Sequence, residues 1–321
     1  MAGSRSVVIA ALIANGAIAI MKFFAFLLTG SPSMLSETYH SISDTGNQVF
    51  LLLGIRFSKR QASRTHPFGY GKAQFFYSFL VSVLLFGIAG WESLKHGYQE
   101  LTAHGGHGGE RADVILAGIN FTELVPVETF WISVVVLVGA IAFETYAFKK
   151  AWAELSSQIE EYGWSGIPEA FRKTADVTTL TAFTEDAIAL GGAAIALVGI
   201  TLTRVTGMEV FDQLSAIVIG LLLMGFALAL AWENKRLLLG ESLPKSVETE
   251  LREVVRDREG VVHVDRVRSM FVGPEDVLVT ADVSFDPSLD TTAIDDVIDA
   301  IEADLAAVDG RINMVYVEPE T

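Results

Sequence analysis

The sequence predicts an α-helical membrane protein with six transmembrane helices, followed by a small α+β domain. Hydrophobic residues make up 51% of the 321 residues, and the mean hydropathy is +0.42. Long apolar segments recur in the first part of the chain, and each is near or above the ~20 residues that a spanning helix needs. The remaining residues follow helix and strand patterns in turn. We therefore divide the chain into a transmembrane domain, residues 1–240, and a C-terminal domain, residues 241–321.

The basic residues predict how the helices are oriented. The six apolar segments run at residues 7–28, 33–57, 74–96, 127–149, 176–204 and 210–239. The loops on one side carry most of the charge, namely Arg56, Lys59, Arg60, Arg64, Lys72, Lys149, Lys150, Arg172, Lys173, Lys235 and Arg236. The other side has little beyond Lys95, Arg111 and Arg204. Because positively charged loops stay in the cytoplasm, we expect a multi-pass protein of the cell membrane with both termini cytoplasmic.

The composition limits which metal ligands and which binding partners the protein can have. The chain has no cysteine, so a metal would have to be held by His, Asp, Glu, Asn or backbone oxygen. From Pro244 onward there are 19 acidic and 7 basic residues, which argues against nucleic acid or an anionic lipid leaflet as a partner of this domain. The acidity is typical of adaptation to high salt in a halophilic prokaryote, and a metal-collecting surface is the alternative. No glycine-rich phosphate loop precedes a helix, which argues against an ATP-driven pump.

The C-terminal domain has the order helix, strand, strand, helix, strand. Apolar residues recur at helical spacing over 247–255 and 294–305, and they alternate over 277–285, as in a half-buried strand. Looser strand patterns cover 262–271 and 312–317. This order predicts a small sandwich in which helices cover one face of the sheet.

Two connecting segments also have recognisable patterns. Residues 149–174 predict a helix that breaks at Gly163, since glycine ends helices. The loop with His104, His107 and Glu110 is rich in glycine and predicts a connector. Weak collection of metal by this loop is the alternative.

A polar stripe in the second apolar segment predicts the functional site. His40 and Asp44 are four residues apart, about 400° of α-helix, so both project from nearly the same face. Glu37 and Asn47 extend this stripe. Interhelical hydrogen bonds are the alternative explanation. Ionisable side chains are costly inside a membrane and are usually functional, so we interpret the stripe as part of a divalent-cation site.

The fifth segment supplies a second set of candidate ligands. Glu185 and Asp186 are adjacent, so their side chains project about 100° apart. Asp186 precedes Gly191 and Gly192 on a closely packed face, whereas Glu185 lies at its flank. An interhelical pair or a protonated acid is the alternative. The candidate metal ligands are therefore His40, Asp44, Asp186, Glu185, Glu37 and Asn47.

Several motifs together resemble the cation diffusion facilitator family, most closely its zinc transporter 9 branch. The motifs are Ser36-Glu37, His40-Ser41-Ile42-Ser43-Asp44, His66-Pro67-Phe68-Gly69-Tyr70-Gly71-Lys72, Glu185-Asp186-Ala187, Phe211-Asp212 and Val317-Glu318-Pro319. The resemblance covers nearly the whole chain. It implies a homodimer of six-helix protomers, each with a C-terminal cytoplasmic ferredoxin-like α+β domain. It also implies exchange of Zn²⁺, or a similar divalent ion, for protons.

The chain departs from the pattern of this family at the metal site. The family takes two ligands from the second helix and two from the fifth, the latter four residues apart. Here Asp186 is present, but position 182 is Ala182. The resemblance therefore implies that Glu185, Glu37, Asn47 or water replaces the missing ligand. A site with one histidine and mostly oxygen ligands also suits Mn²⁺ or Fe²⁺.

Two further departures concern sites outside the helices. Tyr70 stands in the loop after the second helix where a second histidine would help His66 to bind an ion. In the C-terminal domain His263 is the only histidine, and Tyr316 replaces one in the last strand. We therefore expect a C-terminal domain that dimerises without metal.

The sequence thus predicts a divalent metal cation/proton antiporter that exports Zn²⁺, or Fe²⁺ or Mn²⁺, and not an enzyme. The metal is its transported substrate, protons are the counter-ion, and no cofactor is expected. Two alternatives remain open. A proton-coupled organic solute carrier would need a roomier cavity lined by aromatic residues, and a metal-sensing membrane receptor would need metal ligands in its C-terminal domain.

Overall fold

The computed structural model describes residues 2–103, 115–116, 119–120, 129–161, 163–173 and 177–320. The loop with His104, His107 and Glu110 lies outside the described residues. The chain divides into two compact units: one is Met1–Phe50 with Leu80–Ala231, and the other is Leu51–Phe79 with Trp232–Thr321. The domain boundary between residues 240 and 241 stays a prediction.

The described residues of each of the six apolar segments lie in helical structure. The helices before the C-terminal domain are α1 (Ala2–Thr29), α2 (Pro32–Ser58), α3 (Ala73–Leu84), α4 (Trp91–Ala103), α5 (Thr129–Glu161), α6 (Ile167–Lys173), α7 (Val177–Thr206) and α8 (Val210–Leu239). A π-helical turn at Leu85–Gly90 joins α3 to α4, so the third segment is one continuous helix. Two short strands, β1 (Ile115–Leu116) and β2 (Ile119–Asn120), pair antiparallel.

Four helices in the described part of the chain are long and apolar enough to cross a membrane. They cover Ala73–Thr102, Phe130–Glu161, Ala182–Thr206 and Val210–Leu239. The apolar described part of α1, Asn15–Thr29, is shorter. Helix α2 has 27 residues, which is long enough to span, but its polar stripe lowers its hydropathy. The predicted class, a helical membrane protein with a small α+β C-terminal domain, is confirmed.

The interior of the first unit combines alanines with larger apolar side chains. Alanines allow neighbouring helices to approach closely, which is the usual basis of helix packing in membranes. The buried cluster draws on α1, α2, α5, α7 and α8 through Ala25, Met34, Leu137, Ala193, Ala196, Leu223 and Ala227. This shared core holds α2 and α7, the two helices with the predicted ligands, within one packed unit.

The predicted connector helix is a continuation of α5. Helix α5 is 33 residues long and runs from the fourth apolar segment through Leu155, which is fully buried. It ends at Glu161, close to Gly163, whose backbone has φ +62°. Leu155 packs in a cluster with Ala170 of α6 and Phe183 of α7. The predicted break at Gly163 agrees with this end, and the helix is continuous with a membrane span.

The C-terminal domain has the predicted order of elements. These are α9 (Lys245–Arg256), β3 (Val261–Gly273), β4 (Asp276–Phe285), α10 (Thr291–Val308) and β5 (Ile312–Glu320). The sheet order is β3-β4-β5; β3 and β4 are antiparallel, and β4 and β5 are parallel. Alternate residues of β4, among them Val277 and Val279, are fully buried, as are Leu251 of α9 and Ile301 of α10. The helices therefore cover one face of the sheet.

An ion pair closes the turn between α10 and β5. The carboxylate of Asp309 accepts hydrogen bonds from Arg311, at 2.9 Å from Nε and 2.6 Å from Nη2. These hydrogen bonds lower the pKa of the Asp309 carboxyl below its usual value. The pair therefore favours the ionised carboxyl and the folded turn together.

Candidate metal centre

His40 and Asp44 lie side by side in the interior of the first unit. His40 Nε2 is 3.5 Å from Asp44 Oδ2, as the helical spacing predicts. The imidazole is 2% exposed, and neither ring nitrogen is hydrogen-bonded to any residue that the structure describes. Buried polar atoms normally have hydrogen-bond partners. An unpaired imidazole beside a carboxylate suits a cation that both side chains can bind.

The acids of α7 approach this pair from a second helix. The carboxylate of Asp44 interacts electrostatically with those of Glu185 and Asp186. The fold therefore brings Asp44 and Asp186 near each other, although 142 positions separate them in the sequence. Negative charges that interact in this way favour a bound cation or a proton on one of the carboxyl groups.

Asn47 and Glu185 contact each other across the same pair of helices. The side-chain amide of Asn47 donates a hydrogen bond to Oε1 of Glu185. This bond fixes the position of the Glu185 carboxylate at the flank of the site. One of its oxygens is thereby occupied by Asn47.

Glu37 is held by a lysine that the sequence reasoning missed. Lys22 Nζ on α1 is 2.7 Å from Glu37 Oε2, and neither side chain is exposed. The other oxygen of Glu37, Oε1, is hydrogen-bonded to no described residue. It lies against Gly192 of α7, where a Cβ atom would overlap it. Glu37 therefore bridges α1 and α7, with a positive charge on one side and a gap without a side chain on the other.

Glu144 is the second charged residue that the sequence reasoning missed. It lies on α5 and is 8% exposed. Its carboxylate interacts electrostatically with Lys22, Asp44 and Asp186. The signal for both missed residues was a charge in the interior of an apolar segment, since Lys22 lies within 7–28 and Glu144 within 127–149. Charges in the interior of a membrane span are costly, and this cost marks them as candidate functional residues.

The described residues do not form a compact ligand cluster. Over residues 2–103, 129–161, 163–173 and 177–320, together with the two short strands, no three His, Asp or Glu side chains lie close enough to hold a metal ion. The candidates instead line the facing sides of α2, α5 and α7, where they interact through their charges. Coordination of one ion would require these side chains to move closer together.

The remaining candidates lie outside this centre. The ring of His66 stacks on that of Tyr70 with their centroids 4.2 Å apart. In the C-terminal domain His263 is 69% exposed, with Nε2 3.8 Å from Asp265 Oδ1. The expectation that the C-terminal domain dimerises without metal stays a prediction.

Hydrogen bonds to a residue of α8 also fix the start of α2, which precedes the candidate ligands in the sequence. Asp212, the first acid of α8, accepts a hydrogen bond from the Ser33 backbone amide at 3.3 Å and another from the Ser33 hydroxyl. The negative charge of Asp212 near the N-terminus of α2 also interacts favourably with the positive end of the helix dipole. The contact ties the first turns of α2 and α8 together, and so helps to position the stripe that follows.

Helices of membrane-spanning length that carry a buried imidazole and mutually interacting carboxylates are typical of a membrane protein that binds cations. The sequence model of the cation efflux transmembrane domain matches residues 8–239, and the chain belongs to this family. The resemblance to the cation diffusion facilitators is thereby confirmed.

Three relatives illustrate this similarity. Metal tolerance protein C4 of Arabidopsis thaliana is 28% identical over 283 residues, 88% of this chain and 57% of the relative. The mitochondrial proton-coupled zinc antiporter SLC30A9 of Homo sapiens is 28% identical over 284 residues, 88% of this chain and 46% of the relative. Magnetosome protein MamM of Paramagnetospirillum magneticum is 25% identical over 320 residues, 99% of this chain and 88% of the relative. The chain spans about half the length of the first two.

Proposed function

We propose that this protein is a divalent metal cation/proton antiporter that exports Zn²⁺, or Fe²⁺ or Mn²⁺, from the cytoplasm. The observation that carries the proposal is the approach of Asp44 on α2 to Asp186 on α7, with His40 beside Asp44. Membership of the cation efflux family supports metal transport. A relative named as a proton-coupled zinc antiporter supports the choice of zinc and of protons.

The donor atoms fit a divalent cation. An imidazole nitrogen from His40 and carboxylate oxygens from Asp44 and Asp186 are ligands that Zn²⁺ takes in proteins. Oxygen donors outnumber nitrogen donors, so Fe²⁺ and Mn²⁺ would compete with Zn²⁺ for this site on the basis of ligand hardness. The fourth position, where Ala182 offers no ligand, would be filled by Glu144, Glu185 or water.

Competition between protons and metal gives the transport cycle. Metal binding requires that His40, Asp44 and Asp186 be deprotonated. Protons that arrive from the far side of the membrane occupy these groups and displace the metal there. They then leave to the cytoplasm, and the emptied ligands accept a new ion. Alternating access of α2 and α7 to the two sides would complete the exchange.

The partners belong to the same proposal. We expect a homodimer in the lipid bilayer, with both termini cytoplasmic and with the C-terminal domain contributing to dimerisation. A chain that ends near Glu241 should then insert and transport slowly, because its membrane helices are complete.

Metal-dependent proton flux in proteoliposomes tests the proposed function. The purified protein is reconstituted with a pH-sensitive dye and a zinc-sensitive dye inside the vesicles, and Zn²⁺, Mn²⁺ or Fe²⁺ is added outside. An antiporter moves metal inwards and protons outwards together. Metal binding without any flux would favour the sensing receptor. Proton flux that depends on an organic solute and not on metal would favour the solute carrier.

A further inference from the structure

We propose that Lys22 is a positioning residue that keeps Glu37 out of the ligand set of the metal. The inference rests on the proposed function and concerns the same site. In this arrangement the ammonium group of Lys22 acts as a tethered cation, which pairs with a carboxylate that would otherwise bind the ion. The consequence is a site weak enough to release its metal.

The ion pair is buried and closely made. Lys22 Nζ and Glu37 Oε2 are 2.7 Å apart, and both side chains are fully inaccessible to solvent. Removing one member of a buried pair leaves the other charge uncompensated. The two charges therefore hold each other in place, which explains how a lysine is tolerated within a 28-residue, largely apolar helix.

Glu37 lies on the helix face of the candidate ligands, but its carboxylate is paired with Lys22. It lies one turn before His40 and two turns before Asp44 on the same face of α2. Its free oxygen, Oε1, faces the gap left by Gly192 and has no hydrogen bond to a described residue. Without Lys22, this carboxylate would be available to an ion bound at His40 and Asp44 on the same face of α2.

The charge of Lys22 acts on the whole site. It interacts electrostatically with His40, Asp44 and Glu144 as well as with Glu37. A positive charge repels a divalent cation, and a poorly hydrated interior screens this repulsion less than water does. Lys22 thus lowers the affinity for metal in two ways: it occupies one carboxylate, and it opposes the charge of the ion. A transport site must bind weakly enough to release what it carries.

A double-mutant cycle tests the inference. Zinc affinity and zinc flux are measured for the parent, Lys22→Gln, Glu37→Gln and the double variant Lys22→Gln/Glu37→Gln. We expect Lys22→Gln to lower the Kd for Zn²⁺ by at least about tenfold and to slow flux at saturating zinc. The double variant should lose most of this gain, because the released carboxylate is no longer there. Lys22→Arg keeps the charge and should resemble the parent, as should Lys149→Gln, which removes an exposed lysine of α5.

The outcomes separate this inference from the proposed function. A folded Lys22→Gln protein whose zinc affinity is unchanged or weaker overturns the inference, as does a double variant that keeps the whole gain. If Lys22→Gln does not fold, the X-ray absorption spectrum of zinc bound at saturation to Glu37→Gln decides. A spectrum that matches the parent supports the inference, and a changed ligand shell overturns it. A parent that binds none of Zn²⁺, Mn²⁺ and Fe²⁺ overturns the proposed function as well.

Discussion

The side-chain amide of Asn47 on α2 donates a hydrogen bond to the carboxylate of Glu185 on α7. The two residues were predicted as separate candidates for a missing metal ligand, and the structure pairs them with each other. The bond leaves Glu185 with one carboxylate oxygen not used by Asn47. Glu185 therefore has two roles at the site. Its hydrogen bond joins α2 and α7, and its carboxylate adds negative charge near Asp44 and Asp186.

Two substitutions separate these roles of Glu185. Glu185→Gln keeps an oxygen that can accept from Asn47 but removes the charge, so we expect normal thermal stability and a several-fold lower zinc flux. Glu185→Leu also removes the hydrogen bond and leaves the Asn47 amide unpaired, at a cost of about 1–3 kcal/mol in stability. Thermal unfolding in detergent and flux in vesicles measure the two effects. Unchanged flux and ion selectivity in Glu185→Gln would show that Glu185 is not the substitute ligand.

Substitution of Asp44 or Asp186 should lower zinc affinity more than substitution of any other acid of the site. Asp44→Asn and Asp186→Asn keep the size of each side chain and remove a charged ligand. Even outer-shell partners of metal ligands are worth about 10–100-fold in affinity, so we expect at least about a hundredfold loss of zinc affinity with the dimer still folded. Zinc titration and size-exclusion chromatography test this. Exposed Glu154→Gln on α5 is the matched control, and near-parent zinc flux in either aspartate variant would refute the assignment.

Adjacent glycines of α7 provide a steric test of the position of Glu37. A Cβ atom at Gly192 would overlap Oε1 of Glu37, whereas one at Gly191 would meet no described atom within 4 Å. Gly192→Ala should therefore displace the carboxylate, disturb its pair with Lys22 and lower both thermal stability and flux. Gly191→Ala should be neutral or slightly stabilising, since alanine favours helix more than glycine does. Equal effects of the two substitutions would mean that Glu37 does not pack against Gly192 in the membrane.

The fold was predictable because its signals are local. Apolar length gives the spans, and periods of two and 3.6 residues give the strands of the C-terminal domain and its two helices. The helical pitch also predicted the His40–Asp44 pair. In contrast, the π-helical turn at Leu85–Gly90 does not change the length of the apolar segment, so it could not be predicted from the sequence.

The missed part of the site depends on contacts between helices. Lys22 and Glu144 are charges within apolar stretches of α1 and α5, and neither forms a motif with its sequence neighbours. Their meaning follows only from packing, which brings α1 and α5 against α2 and α7. The same is true of Glu37. Its place on the polar stripe of α2 suggested a metal ligand, but no spacing in the sequence indicated its pair with Lys22 on α1. Charges within apolar segments are the sequence signal that could have found these residues.

The stability of the C-terminal domain should depend on pH because of the Asp309 carboxyl. Its pKa is lowered in the folded state by Arg311, so the pair contributes stability at pH values above the unfolded pKa of about 3.9. That contribution is lost as the pH falls through the lower pKa of the folded state. We expect Asp309→Asn to destabilise the domain by about 1 kcal/mol at pH 7 and to have little effect near pH 2.

Hydrogen exchange of the β4 and β5 amides in the full chain measures this difference, with parent and variant compared at each pH. Arg311→Gln should show the same loss at pH 7. Exposed Asp299→Asn on α10 is the matched control and should show none. An Asp309→Asn effect that is equally large at both pH values would mean that the charge of Asp309 is not the cause.

Ala182 is where the chain lacks a ligand, and a histidine there should change which metal the protein prefers. Position 182 precedes Asp186 by four residues on α7, so a new imidazole would project from nearly the same face.

Zn²⁺ accepts tetrahedral sites rich in nitrogen, whereas Mn²⁺ and Fe²⁺ bind such sites less tightly. We therefore expect Ala182→His to tighten zinc binding and to raise the preference for Zn²⁺ over Mn²⁺ by about tenfold or more. Ala187→His places the same side chain about 140° away from position 182 around the helix and should change neither. Competition of Mn²⁺ and Fe²⁺ against zinc uptake in vesicles measures the preference. Glu185→Gln should matter less in the Ala182→His background than in the parent, because the imidazole then supplies the fourth ligand. If Ala182→His and Ala187→His have the same selectivity, position 182 does not face the metal.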